Sequence, residues 1–339
     1  MKFQNLNYPK PAFQGDCIPV VLNSSEQYFP YLYVTLTSML DHISLERNYD
    51  ITILSAGISN KNKQIAVQLQ ENKENCFIRF IEIKPLLDSL NLFVRDHYNP
   101  IIYARLILPE LMKNYGEKLI YLDSDLIINT DIAQLYDLVS FRDEFVAAVR
   151  DIGMITVYHS KGRLEKKYLD QYLHLKYPNN YFNSGVLVFH LQLFRETYPV
   201  DFLLHYATKQ KWIGQDQDIF STLCDGRALL LPQEWNVMIQ FMHTDQDLSG
   251  RATPQKLKKR YMHARKNPKI IHYIENKFLL MNPPCDLFWY FWKVARRTPY
   301  YELLLDRMAK SHPIFQPDDA YQIPKQKKRK WSVKTHEHK

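Results

Sequence analysis

Two periods of apolar spacing run along the first 240 residues. Short apolar runs at 18–22, 51–54, 118–122 and 184–190 predict buried strands, and 77–81 and 144–149 add two more. Between them, residues 29–42, 61–72, 101–111, 131–138, 164–175 and 216–223 place apolar side chains at helical spacing, with Thr130 as the N-cap of the fourth. Strand and helix alternating in this order predict an α/β fold with a mainly parallel central sheet covered by helices on both faces. Past residue 250 the pattern changes. Ile270-Ile271-His272-Tyr273 reads as a short strand, 287–295 is strongly aromatic, and 312–339 is rich in Pro and Lys. The expected organisation is a main domain over 1–250, a small helical and basic C-terminal extension over 251–311, and a basic, flexible tail over 312–339. No internal repeat interrupts it.

Composition supports a folded chain: 46% of the 339 residues are hydrophobic, enough for a sizeable core. Only nine residues are Gly, and neither GxGxxG nor GxxxxGK[ST] occurs, which excludes the common Gly-rich phosphate loops. Cys17, Cys76, Cys224 and Cys285 lie far apart with no CxxC pair, so a zinc ribbon is not expected and a reducing compartment is. The N-terminus lacks the apolar core of a signal peptide, and no apolar run is long enough to span a membrane.

The net charge of +8 is unevenly spread. Residues 251–269 carry eight Lys/Arg and no acid, 325–339 carry seven Lys/Arg and one Glu, and the rest of the chain is acidic at −6. A basic end on an acidic body is attracted to anionic lipid head groups or to nucleic acid; a merely solvated tail is the plain alternative.

The chemistry concentrates at Asp123-Ser124-Asp125, where the strand 118–122 ends. Ligands of parallel α/β sheets bind outside the carboxyl ends of the strands. Two carboxylates one residue apart in a tight turn can both reach Mg2+ or Mn2+, hard cations that take oxygen ligands and bridge phosphates. Such a cation can neutralise a diphosphate leaving group as a Lewis acid. Without further context a solvated turn or a helix cap is the plainer, less favoured alternative. An aspartyl phosphatase of the haloacid dehalogenase type would need Thr or Val two residues after the second Asp, where this chain has Ile127.

Five segments in order carry a resemblance: Tyr103-Ala104-Arg105, Tyr121-Leu122-Asp123-Ser124-Asp125, Tyr181-Phe182-Asn183-Ser184-Gly185-Val186-Leu187, Gly214-Gln215-Asp216-Gln217-Asp218-Ile219 and Ile270-Ile271-His272-Tyr273. Together they resemble glycosyltransferase family 8, above all its bacterial lipopolysaccharide and capsule glucosyl- and galactosyltransferases, over roughly residues 18–305. The resemblance implies a GT-A fold, a UDP-sugar donor, Mn2+ (or Mg2+) and retention of anomeric configuration. It marks Asp123, Asp125 and His272 as metal ligands, and Asp216 and Gln217 as the residues nearest the anomeric carbon. Arg105 and His97 then face the donor, Ser124 lies with them, and Asn183 and Asp151 hold the transferred sugar. Asn236 resembles a further family residue of undefined role.

Two departures stand out. The nucleotide-binding segment that often reads Ala-Ser-Asp-Glu-Asn-Tyr is here Asn23-Ser24-Ser25-Glu26-Gln27-Tyr28, so Ser25 replaces the usual uracil-binding Asp while Tyr28 is kept to stack on the base. The lid pattern His-x-x-Gly-x-x-Lys has Glu275 in place of Gly, and Lys277, the residue expected to reach the diphosphate, comes one position early. The expected partners are a UDP-hexose, a glycan or glycolipid acceptor and, through the basic end, an anionic membrane surface on the cytoplasmic side; nucleic acid is not expected. The competing readings are a non-catalytic homologue with a degenerate sugar-nucleotide site, or a basic protein that binds nucleic acid or membrane.

Overall fold

The structure is a computed structural model that describes residues 8–90, 92–93, 100–160, 164–239, 252–274 and 286–311. His97, Glu275, Lys277 and the basic tail at 325–339 lie outside the described residues.

A seven-stranded sheet forms the centre. Its strands are β1 (Cys17–Ser25), β2 (Asn48–Ala56), β3 (Cys76–Glu82), β4 (Lys118–Leu122), β6 (Val146–Arg150), β7 (Phe182–His190) and β8 (Ala228–Leu230), in the spatial order β3-β2-β1-β4-β7-β6-β8. All neighbours are parallel except that β7 runs against both β4 and β6. The near-continuous apolar runs of β1, β4 and β7 follow from burial on both faces. Successive residues point to opposite sides: Val20, Leu22, Ile120, Leu122, Val186 and Val188 enter one core, while Val21, Leu119, Tyr121, Leu187 and Phe189 enter the other.

Helix α1 (Phe29–Leu40) follows β1 and is buried almost throughout, and α2 (Asn60–Val67) follows β2 with Ser59 capping it through the Asn62 N–H. The segment expected to be helical at 101–111 is a 3-10 helix over Pro100–Ile107 that ends in one α-turn, Leu108–Leu111. The segment at 164–175 is an α-turn, Leu164–Lys167, running into a π-helical turn, Tyr168–Tyr172. Thr130 caps nothing: the helix after it opens only at Ala133, and Asp131 Oδ1 accepts the Ala133 N–H at 2.9 Å.

After Asp125 the chain leaves the main sheet. Strand β5 (Leu126–Ile128) pairs antiparallel with β10 (Ile270–His272), which pairs in parallel with β9 (Val237–Met238). The register sets His272 opposite Leu126, and the Tyr273 N–H donates to the Asp125 carbonyl at 3.0 Å. This small sheet lies against the α1 side of the core. Helices over Gln255–Ala264, Phe288–Ala295 and Tyr301–Ser311 close over it, burying Leu257, Tyr261, Phe291 and Leu304 among the residues that pack on α1 and β1.

Candidate active site

The carboxyl ends of β1 and β4 meet at the acidic pair. The Ser124 hydroxyl donates to the Asn23 carbonyl, and the Asn23 amide donates to the Ile101 carbonyl at 3.1 Å. Thr35 of α1 locks the turn from below, its hydroxyl donating to the Ser124 carbonyl at 2.8 Å and accepting the Leu126 N–H at 3.0 Å. Ser25 is buried at the end of β1, its carbonyl accepting the Tyr28 N–H, and half-buried Tyr28 lies against Tyr31.

Asp123, Asp125 and His272 bring one ligand atom each within 4.8 Å of one another. His272 Nε2 is 3.2 Å from Asp125 Oδ1 and 3.7 Å from Asp123 Oδ2. Burial raises the Asp125 carboxyl above the usual range despite His272. Burial is the largest single influence on His272 and lowers it, but the charge and hydrogen bond of Asp125 together with the charge of Asp123 leave the imidazole raised. Two carboxylates and an imidazole, two of the three nearly buried, form a donor set suited to Mn2+ or Mg2+. Gly185 is required beside them: a Cβ there would come within 2.2 Å of His272 Cε1 and 2.6 Å of Asp123 Oδ2.

Arg105 joins this cluster to the next one. Its guanidinium is buried, with Nη2 donating to Asp123 Oδ1 at 2.8 Å, Nη1 donating to the Ser184 carbonyl and Nε donating to the Ile102 carbonyl at 3.2 Å. Its plane lies over Tyr121, whose hydroxyl also donates to Asp123 Oδ1. Asp216 Oδ2 is 3.1 Å from Arg105 Nε, yet that N–H points at Ile102. The oxygen gains charge attraction without a hydrogen bond, and among the described residues it is a buried acceptor with no donor. Burial pushes Asp216 up to about 6 against the pull of Arg105.

Asp216 opens the helix Asp216–Leu223 directly after Gln215, whose backbone sits at φ 56. A non-Gly residue there is strained by about 1–2 kcal/mol and persists where its surroundings hold it. The holder is Asp218, to which the sequence alone assigned no role. Its carboxylate accepts the Tyr168 hydroxyl at 2.5 Å, the Tyr181 hydroxyl at 2.7 Å and the Gly214 N–H at 2.6 Å.

Gln217 is fixed on both sides. Its Oε1 accepts from Asn183 Nδ2 at 2.9 Å and the Ser184 N–H at 3.2 Å, while its Nε2 donates to Asp151 Oδ2 at 3.1 Å. Asp151 Oδ1 caps the helix Ile152–His159 through the Met154 N–H. Asn236, wholly buried, bridges Asn183 and His272. The structure therefore gathers Asp123, Ser124, Asp125, Arg105, Asn183, Asp216, Gln217, Asp151 and His272 into one site with Asn23 and Ser25 at its edge. Within the site, three of the five Arg105 N–H donors are used inside the protein.

Solved structures of the same architecture are glycosyltransferases. The apo structure of the bifunctional glycosyltransferase WbbM superposes with a TM-score of 0.76 at 28% identity, covering 88% of this chain and 53% of that one, so this chain spans about half of its length. The galactosyltransferase LgtC, solved with donor and acceptor sugar analogues, superposes with a TM-score of 0.66 at 22% identity, covering 83% of this chain and 96% of that one. The fold is thus the GT-A fold of glycosyltransferases. The chain belongs to glycosyl transferase family 8, whose sequence profile matches residues 19–278. Among relatives, a Haemophilus influenzae protein described as a glycosyltransferase is 29% identical over 270 residues, 76% of this chain and 72% of its own. The lipopolysaccharide 1,2-glucosyltransferase of Escherichia coli is 23% identical over 321 residues, 93% of this chain and 85% of its own.

Proposed function

We propose that the protein is a retaining, Mn2+-dependent hexosyltransferase that moves glucose or galactose from a UDP-sugar to a lipopolysaccharide, capsule or other glycan acceptor. The observation that carries this reading is the continuous cluster from Asp123, Asp125 and His272 through Arg105 to Asp216 in a family 8 chain. The E. coli glucosyltransferase relative and the LgtC fold support the choice of acceptor class and hexose.

Asp123, Asp125 and His272 would hold the cation, which when bound neutralises the diphosphate leaving group as a Lewis acid. Asn23, Ser25, Tyr28 and Ser124 border the nucleotide, with Ser25 able to accept a hydrogen bond from uracil without a charge. Lys277 and His97 are assigned to the donor on the sequence resemblance. Arg105 offsets the charge of both half-buried Asp123 and buried Asp216 so that the two carboxylates coexist beside the donor. The unpartnered Asp216 Oδ2 accepts a sugar hydroxyl, and Asn183 and Asp151 border the same sugar. The Gln217 amide oxygen, fixed by two donors, gives electrostatic support to a developing oxocarbenium rather than acting as a free nucleophile. The departing phosphate then takes the acceptor proton on the same face, which retains configuration.

No helix among the described residues is long and apolar enough to cross a membrane. The basic helix Gln255–Ala264 and Trp289, nearly half exposed, support docking on an anionic membrane face from the cytoplasmic side. The test is release of UDP from UDP-glucose and UDP-galactose with Mn2+ and with EDTA. Mn2+-dependent release by the wild type, lost in Asp125→Ala with the circular dichroism unchanged, is expected. No hydrolysis or transfer from any UDP-hexose would refute the activity.

A further inference from the structure

The amides between the sugar side and the metal side of the site form a directional chain. Backbone N–H groups can only donate, so they decide which end of each amide is oxygen. The Gly185 N–H donates at 2.9 Å to Asn183, so that atom is Oδ1. The Ser184 N–H donates at 3.2 Å to Gln217, so that atom is Oε1. Asn183 Nδ2 therefore faces Gln217 Oε1, and Gln217 Nε2 faces the Asp151 carboxylate, as both distances require. Asn183 Oδ1 also receives Asn236 at 2.8 Å, and an acceptor can receive only the Nδ2 end. Asn236 Oδ1 is thereby turned to His272 Nδ1 at 3.2 Å. An oxygen there requires the hydrogen of the imidazole to be on Nδ1, which leaves Nε2 to face Asp125 and Asp123.

We propose that Asn236 is a positioning residue that fixes His272 in the Nδ1–H tautomer and so presents Nε2 to the cation, tying the metal ligand to the sugar-side amide Gln217 through Asn183. The proposal rests on the cation site of the preceding section. Partners of this kind set ring orientation and ligand basicity, and losing one costs about 10–100-fold in metal affinity. Asn236 itself is fully buried, and its side chain hydrogen-bonds to Asn183 on one side and His272 on the other.

The experiment measures Mn2+ affinity in the presence of UDP, by electron paramagnetic resonance of free Mn2+, for the wild type, Asn236→Ala and Asn236→Asp. Asn236→Ala is expected to raise the Kd by about 10–100-fold, with turnover partly restored by excess Mn2+. Asn236→Asp can still accept from Nδ1 but sets an oxygen against Asn183 Oδ1. It is expected to recover most of the Mn2+ affinity while turnover stays low. Nitrogen-15 spectra of histidine-labelled wild type with Mg2+ and UDP should show the His272 hydrogen on Nδ1. That measurement stands even if the Ala variant does not fold. A hydrogen on Nε2 in the Mg2+ complex, or a folded Asn236→Ala with unchanged Kd, would overturn the proposal. Failure of the wild type itself to bind Mn2+ with UDP would instead overturn the cation site.

Discussion

Replacing Asp216 with Asn should make the metal-free protein more stable while destroying its turnover. Burial lifts the Asp216 carboxyl from 3.8 to about 6. An acid raised in this way holds its proton more tightly when folded. Its contribution is therefore neutral below the unfolded value, and stability falls as pH rises from 3.8 through about 6. The shift corresponds to about 3 kcal/mol of lost stability once the group is ionised, an order-of-magnitude figure. An uncharged amide of the same shape removes that cost and can still turn its oxygen toward Arg105. With about 2–4 °C of Tm per kcal/mol in a domain of this scale, Asp216→Asn should melt roughly 6–12 °C higher than the wild type near neutral pH. The assay is calorimetric melting in EDTA at about pH 7.5 and about pH 4.5, with UDP-sugar turnover measured alongside. The gain should shrink toward zero at the acid value, and turnover should be lost because an amide cannot replace the charged acceptor. A variant no more stable at the higher pH, or one whose advantage does not change with pH, would refute the reasoning.

Gly185→Ala should displace His272 or Asp123 and weaken Mn2+ binding with about 1–3 kcal/mol of destabilisation, read by titration calorimetry and melting; unchanged Mn2+ binding would contradict the packing at this strand. Asp218→Asn should free the strained Gln215 turn and lower kcat by up to about 100-fold with the overall fold kept, because small misplacements of a reacting group are costly; wild-type kcat would show that the turn holds without it. Burial raises the Asp125 carboxyl and the neighbouring carboxylates raise the His272 imidazole, so a cation competes with protons held more tightly than on the free groups. Mn2+ binding should therefore release protons and tighten as pH rises, which calorimetry in buffers of different ionisation heat will detect; proton uptake on binding would be the contrary result.

Much of the main sheet was legible because β1, β2, β4 and β7 are buried on both faces and so read as unbroken apolar runs. The small sheet was less so. Its strands β5 and β9, like β8 at the edge of the main sheet, are two or three residues long, too short for any period to emerge, and none of the three was foreseen. Asp123-Ser124-Asp125 was visible because it ends a buried strand, whereas His272 gained meaning only from the order of the motifs. The partners of Arg105 could not be read, since Asp123 follows β4, Ser184 lies on β7 and Asp216 opens a helix more than a hundred residues further on. Asp218 was hidden for a related reason. A carboxylate in a helix's first turn looks like a response to the helix dipole, and nothing in the local sequence says that Tyr168 and Tyr181 fold over it.

The pairing of β5 with β10 has a consequence for the birth of the protein. Asp125 and His272 are 147 residues apart in the chain, and the acidic pair meets the imidazole only when β10 docks. At roughly 5–20 residues per second, a ribosome finishes His272 some 7–30 s after Asp125. During that interval the nascent chain carries the acidic pair but lacks the imidazole that completes the set. Under the proposed function, cation acquisition is a late event that follows synthesis past β10 and closure of the small sheet.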